Sequence, residues 1–306
     1  MGSKSQAQKR KEYYKIYQQI YKDPFMLIYE IAQNTRLSRN TVTKYIQEMY
    51  AQGVLRGPYI KMNPALNYRE YMYLLNFSDP FKVYRGLKGF PHVLQVSITS
   101  GNWNTVVTTD RHINFSKLKG FQSVVYWGVK GLTCTPKVEY TGWDETFKIM
   151  YKQIKEFTPL QKEDKKQKFH PLNWKNKEWK LYHAFKSNLR QKVTPTLRKI
   201  KVQYDIYTKW MQTLKDHCTI HTEFYPEELK TYMGYCFLFS SDYKSAVQSL
   251  FSFLPTSSVI TDIGNQVLVF TQLPFPDMTR RLICTIYDMQ AVEMIRKFSQ
   301  AIILSP

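Results

Sequence analysis

The chain has 306 residues, 43% of them apolar and 15% aromatic, with a formal net charge of +20 and an isoelectric point near 9.6. That length suits about two to four domains with real cores. No stretch approaches the roughly 20 apolar residues of a membrane span, the N-terminus lacks the apolar core of a signal peptide, and Cys134, Cys218, Cys236 and Cys284 lack CxxC spacing, which argues against membrane and disulfide-stapled secreted classes.

The expectation is a cytoplasmic, nucleoid-associated protein with no membrane contact, and its charge favours polyanions through phosphate neutralisation. Residues 1–10 read as a disordered basic tail. Residues 11–22 form a first helix with Tyr14, Ile16, Tyr17 and Ile20 as its apolar contacts, stopped by Asp23-Pro24. A second helix covers 25–33, and a tight turn over 34–37 leads into a third over 38–52. Ser38 is placed to cap it. Val42, Tyr45, Ile46 and Met49 then recur at i, i+3, i+4 and i+7, making one buried face.

The opposite face carries Arg39, Asn40, Thr43, Lys44 and Gln47, side chains able to read base edges or grip phosphates. Gly53 closes the helix, and 54–62 reads as a small hairpin, a wing. Residues 11–66 thus form a winged helix-turn-helix. Its candidate DNA contacts are Arg36, Ser38, Arg39, Asn40, Thr43, Lys44 and Gln47, with Arg56, Tyr59 and Lys61 on the wing.

From residue 67 the period changes. Strands are expected at 71–77, 93–99, 105–109 and 122–129, with helices at 80–88 and 114–120. That βαββαβ order is the ferredoxin-like arrangement. An extended tail over 131–143 and a helix over 144–157 complete the module, 67–157. Residues 158–173, charged and poor in apolar side chains, read as a linker.

The second half repeats the first. A shift of 165 residues puts Lys180-Leu181-Tyr182 on Lys15-Ile16-Tyr17 and Thr208-Lys209-Trp210 on Thr43-Lys44-Tyr45. A shift of 163 then puts Gly264-Asn265 on Gly101-Asn102. The fold class is therefore α+β, a tandem duplication of winged helix-turn-helix plus ferredoxin-like βαββαβ domain, with copies at 174–229 and 230–306. Thr194 is expected to cap the middle helix of the second copy, and strands are expected at 235–239, 258–263, 266–272 and 291–298. Lys192, Arg198, Lys199, Lys201, Thr208 and Lys209 keep a basic face there, while Tyr204 and Asp205 replace Arg39 and Asn40.

Cys218 and His221, with His217 and Cys236 nearby, have CxxH spacing but no second clean pair, so they read as structural and no metal is assigned. His92, His112, His170 and His183 stand far from any nucleophile motif, and phosphate-cradling glycine loops are absent. No cofactor and no catalysis are expected.

The winged helix-turn-helix followed by a ferredoxin-like module resembles the Lrp/AsnC feast/famine regulators. The resemblance implies a sequence-specific double-stranded-DNA-binding regulator with residues 38–52 in the major groove. It also implies sheet modules that dimerise and bind a small-molecule effector near Gly101, Asn102, Gly264 and Asn265, where Asn stands for the family's acid. One chain would then be a fused pseudo-dimer, able to form a homodimer or higher oligomer. Two alternatives stay open. Sirohaem decarboxylases resemble the same arrangement as two paired related subunits, with basic residues to hold a tetrapyrrole's carboxylates. A winged-helix scaffold for protein or RNA is the other.

Overall fold

The computed structural model describes residues 5–159, 169–274 and 276–305. Most of the charged 158–173 segment lies outside the described residues. The fold is mixed α+β, and among the described residues no helix is long and apolar enough to cross a membrane.

Three helices open the chain: α1 (Gln6–Lys22), α2 (Ile28–Thr35) and α3 (Arg39–Ala51). Ser38 caps α3 as its position dictates, its hydroxyl accepting the Thr41 N–H at 3.1 Å. Val42, Tyr45, Ile46 and Met49 are buried on its inner face against Ile16, Tyr17 and Ile20. Residues 6–10, expected as part of a disordered tail, extend α1, with Ser5 as N-cap.

The wing departs from expectation. Instead of a hairpin, β1 (Leu55–Met62) is a single strand. It pairs antiparallel with β6 (Cys218–Phe224), its counterpart after a second helical triplet of α6 (Asn176–Phe185), α7 (Val193–Ile200) and α8 (Tyr204–His217). Leu55 opposes Phe224 and Met62 opposes Cys218. Leu55 and Phe224 enter the core of the first triplet, whereas Ile60, Met62 and Cys218 enter that of the second. An apolar side chain at each end of both strands thus leaves no free wing tip. Thr194 is not the cap of α7 either; Lys192 holds that position, and the helix starts one residue before Thr194.

The strands between and after the triplets do not form two separate ferredoxin-like sheets. They are β2 (Tyr71–Phe77), β3 (Val93–Gly101), β4 (Thr105–Thr109), β5 (Phe121–Cys134), β7 (Tyr232–Ser240), β8 (Val259–Ile263), β9 (Gln266–Pro274) and β10 (Lys297–Ser305). Together they close one barrel in the order β10-β3-β4-β2-β5-β8-β9-β7. Two seams join the halves: β5 on β8, with Lys130 opposite Ile263, and β10 on β3, with Ala301 opposite Gly101. Closure leaves the barrel itself without an open edge.

The barrel wall alternates with the two-residue period of a strand. Met72, Leu74, Cys236, Leu238 and Leu268 point inward around the buried Trp103. Tyr73, Leu75 and Phe77 point outward under α4 (Pro80–Leu87), whose N-terminus Asp79 caps by accepting the Lys82 N–H at 2.9 Å. On the other side Phe237, Phe239 and Val269 lie under α5 (Trp143–Lys155), α9 (Lys244–Ser252) and α10 (Asp277–Ala291). The strand expected over 291–298 begins only at Lys297, because α10 and a turn occupy the residues before it. The helix expected over 114–120 is one 3-10 turn, Phe115–Lys117.

A candidate ligand cavity between the wing strands and the barrel

The β1–β6 pair lies across one mouth of the barrel, and beneath it opens a cavity of about 730 Å³. That size is in the range of ligand sites. The wing strands and α6 line one side, with Arg56, Tyr59, Lys61, Tyr182, His183 and Lys186 among their residues; the inward positions of the barrel line the other, including Met72, Val106, Thr108, Val259, Phe270 and Ile303.

Three carboxylates line the cavity, and each is already engaged. Glu70, 9% exposed, takes the Lys130 ammonium at 2.6 Å and the Tyr68 hydroxyl at 3.1 Å. Glu223 accepts hydrogen bonds from the hydroxyls of Tyr59 and Tyr225, and Arg56 Nη1 stands 3.7 Å away. Burial and the Glu223 charge together hold both phenols far above the usual tyrosine range, so they remain donors. Asp110 faces His92 Nδ1 at 3.0 Å and Arg111 Nε at 3.6 Å.

Lys61 is different. Half-buried, with its Nζ 5.8 Å from the Tyr59 ring centroid, it makes no ion pair and no side-chain hydrogen bond among the described residues. Burial, with Lys130 as the next cause, pushes its pKa down to about 8. Lys186 also lines the cavity, its carbonyl accepting the Ile60 N–H at 2.9 Å. Its ammonium likewise has no carboxylate within ion-pair distance among the described residues.

His183 offers a second kind of group. Its ring packs 6.0 Å from Trp179, and burial, reinforced by Lys186, lowers its pKa, favouring the neutral imidazole that ligates metals. No hydrogen bond to this ring is made by a described residue. His221, one strand away, cannot serve: Thr135 and Thr219 hydroxyls hold its two nitrogens at 2.8 Å each, and burial pushes its pKa down to about 3. Cys218 points at the Met62 sulfur at 3.6 Å instead of toward His221.

The residues singled out in the sequence divide into three places. Arg36, Ser38, Arg39, Asn40, Thr43, Lys44 and Gln47 lie exposed on the first triplet, as do Lys192, Arg198, Lys199, Lys201, Thr208 and Lys209 on the second. Arg56, Tyr59 and Lys61 instead line the cavity, since the pairing of β1 with β6 turns them toward the barrel. Gly101, Asn102, Gly264 and Asn265 stand exposed at the seams between the halves. A Cβ on Gly101 would meet the Gln300 carbonyl at 2.5 Å, and Asn102 exchanges two hydrogen bonds with the Gln300 backbone. Asn265 accepts the Tyr126 hydroxyl at 2.8 Å, and a Cβ on Gly264 would strike the same hydroxyl.

Glu70, Lys130, His183, Lys186, Glu223 and Tyr225 were missed. The one sequence signal was Lys130, a charge in strand alternation where an inward side chain should be apolar.

No protein-family model matches the chain, and no curated protein matches it significantly. Among solved structures, the siroheme decarboxylase NirDL superposes with a TM-score of 0.52 at 12% identity, covering 96% of this chain and 91% of that one. NirDL in co-complex with an iron-uroporphyrin III analogue gives 0.51 at 10% identity and the same coverage. Identity this low establishes the shared fold alone. Both overlaps run the full length of an enzyme, not of a regulator. The expectations of a Lrp/AsnC transcription regulator, of DNA binding and of no catalysis are corrected accordingly.

Proposed function

We propose that the cavity binds a tetrapyrrole and that the protein is an enzyme that removes a carboxyl group from it. The observation that carries this reading is that Lys61 and Lys186, without an ion pair among the described residues, line one large cavity together with His183. The full-length likeness to a siroheme decarboxylase supports it, as does the solved complex of that protein with an iron-uroporphyrin III analogue.

The residues suit such a ligand. A tetrapyrrole is flat and apolar across its ring and anionic at its rim. Met72, Val106, Phe270 and Ile303 give the ring an apolar surface, Lys61 and Lys186 take rim carboxylates, and His183 offers a nitrogen to a bound iron. In decarboxylation the bond between a carboxylate and its neighbouring carbon breaks, CO2 leaves, and a proton takes its place on that carbon. A carboxylate paired with lysine is stabilised against this loss. The reacting group is therefore one that lies against the apolar barrel side, where lost hydration favours uncharged CO2. The lysines hold the groups that do not react.

The matching element order of the two halves, three helices and a strand before a βαββ run, supports reading the chain as a duplicated, fused pseudo-dimer. Its units would be 11–66 with 67–157 and 174–229 with 230–306.

The test is titration with an iron tetrapyrrole, followed by the Soret band and by product mass. Wild type is expected to give a saturable spectral shift that His183→Ala changes in position, and a product lighter by CO2. A chain that binds no tetrapyrrole refutes the reading.

A further inference from the structure

The two halves cover their sheets unequally. In the second, α10 follows β9 with fifteen residues and lays Leu282, Ile286 and Met289, all fully buried, against the outer face that Phe237, Phe239 and Val269 present. In the first, the connection from β4 to β5 supplies only the 3-10 turn Phe115–Lys117 in the corresponding place. Its one buried ring, Phe115, lies 4.9 Å from Tyr73. The outer face of β5 is left bare. Val124 opposes Leu75 and Trp127 opposes Tyr73 on the β2 ladder, so both point outward with them. They are 46% and 45% exposed, whereas Leu75 and Tyr73 are buried. Val125, the extra residue at the bulge in this ladder, and Leu118 are exposed as well. Trp127 is already held in place, stacked 5.9 Å from the Tyr73 ring with the His112 ring edge-on at 4.7 Å. Burying a side chain that is fixed beforehand costs little conformational entropy.

Charge says what kind of molecule covers this face. Arg111, Lys117 and Lys119 stand on the connection that leads into β5, and from residue 111 to residue 138 the sequence holds no Asp or Glu. Lys117 and Lys119 are exposed and make no ion pair among the described residues, while Arg111 Nε stands 3.6 Å from Asp110. A second copy of this chain docked face to face would bring the same cations together, on a molecule whose net charge is already +20. We propose that the outer face of β5 is a docking site for an acidic amphipathic helix of a partner protein, seated where α10 lies in the other half. Its apolar stripe covers Val124, Val125 and Trp127, and its Asp and Glu side chains face Lys117 and Lys119. A helix suits the face because Leu282, Ile286 and Met289, spaced four and three apart, cover the equivalent face of the second half.

The experiment is fluorescence anisotropy of fluorescein-labelled amphipathic helical peptides of the length of α10, sharing one apolar stripe and carrying Glu, Gln or Lys on the polar face. The Glu peptide is expected to bind the full chain about tenfold more tightly than the Gln peptide, and the Lys peptide more weakly than either. Trp127→Ala and Val124→Ser should each weaken the Glu peptide about tenfold. Trp127→Phe, which keeps an apolar ring, should retain most of the affinity. Lys117→Gln/Lys119→Gln should bring the Glu peptide down to the affinity of the Gln peptide. An unchanged urea midpoint in each variant excludes misfolding as the cause. No binding of the Glu peptide, or binding indifferent to its charge or to Trp127 and Val124, overturns the proposal. Sedimentation of the wild-type chain as a dimer that Trp127→Ala dissociates overturns it in favour of a second copy. Flotation with phosphatidylserine-containing vesicles that the same substitution abolishes overturns it in favour of a lipid surface.

Discussion

Lys130→Met tests whether the cavity wall depends on its buried ion pair. Lys130 on β5 and Glu70 just ahead of β2 are 7% and 9% exposed and 2.6 Å apart, and the Lys130 N–H also donates to the Glu70 carbonyl at 2.8 Å. Removing the ammonium leaves a buried carboxylate whose remaining partner is the Tyr68 hydroxyl. Breaking such a pair from one side costs about 3–5 kcal/mol. Because the cavity adjoins Glu70 and admits water to the orphaned oxygen, the lower end applies, about 3 kcal/mol. Glu70→Gln in the same chain discharges the orphan, so Glu70→Gln/Lys130→Met should be more stable than Lys130→Met alone. Urea unfolding followed by circular dichroism and fluorescence together measures both, with the denaturant slope checked for constancy. A Lys130→Met cost below about 1 kcal/mol, or a double variant no better than the single, would show that the pair does not hold the wall.

Porphyrin affinity should fall as pH rises through about 8 and beyond, since Lys61 attracts carboxylates only while protonated and its pKa is pushed down to about 8; a flat profile between pH 7 and 10 would exclude Lys61 as an anchor. Gly101→Ala should open the seam between β3 and β10, its Cβ 2.5 Å from the Gln300 carbonyl at a φ of +150°, read as faster hydrogen exchange at Ala301 and Ile303. Arg190 donates to the Pro24 and Met26 carbonyls at 2.8 and 2.9 Å, tying the second helical triplet to the first; Arg190→Ala should cost about 2 kcal/mol, measured by the same urea titration. Ser38→Ala should cost about 1 kcal/mol through the lost cap, and leave porphyrin binding untouched.

The helices were legible because their signals are local. Ser38 and the 3.6-residue recurrence from Val42 to Met49 each act within a few residues of sequence, and each is found in place. What the sequence hid is set by pairing at a distance. Leu55 to Met62 has the composition of a hairpin arm, yet its partner is the strand from Cys218 to Phe224. That one pairing moves Arg56, Tyr59 and Lys61 from an outward wing to a cavity wall and so changes their chemistry. Gly101-Asn102 and Gly264-Asn265 read in sequence as matching turns of a repeat. Their task, however, is to let two strands meet closely, and the strand each one meets lies in the other half. His183 and Lys186 carried no motif at all; they matter because α6 ends beside β1.

The closed barrel also sets an order of events during synthesis. β10 lies between β7 of its own half and β3 of the other, so a ribosome must finish Lys297–Ser305 before the ring can shut. Until then β3 and β7 each present an unpaired edge, and β5 waits for β8 across more than a hundred residues. Such edges are templates for pairing with another chain. The nascent protein is therefore most exposed to misassembly in the interval before β10 emerges, and co-translational chaperones would find their targets at β3 and β7.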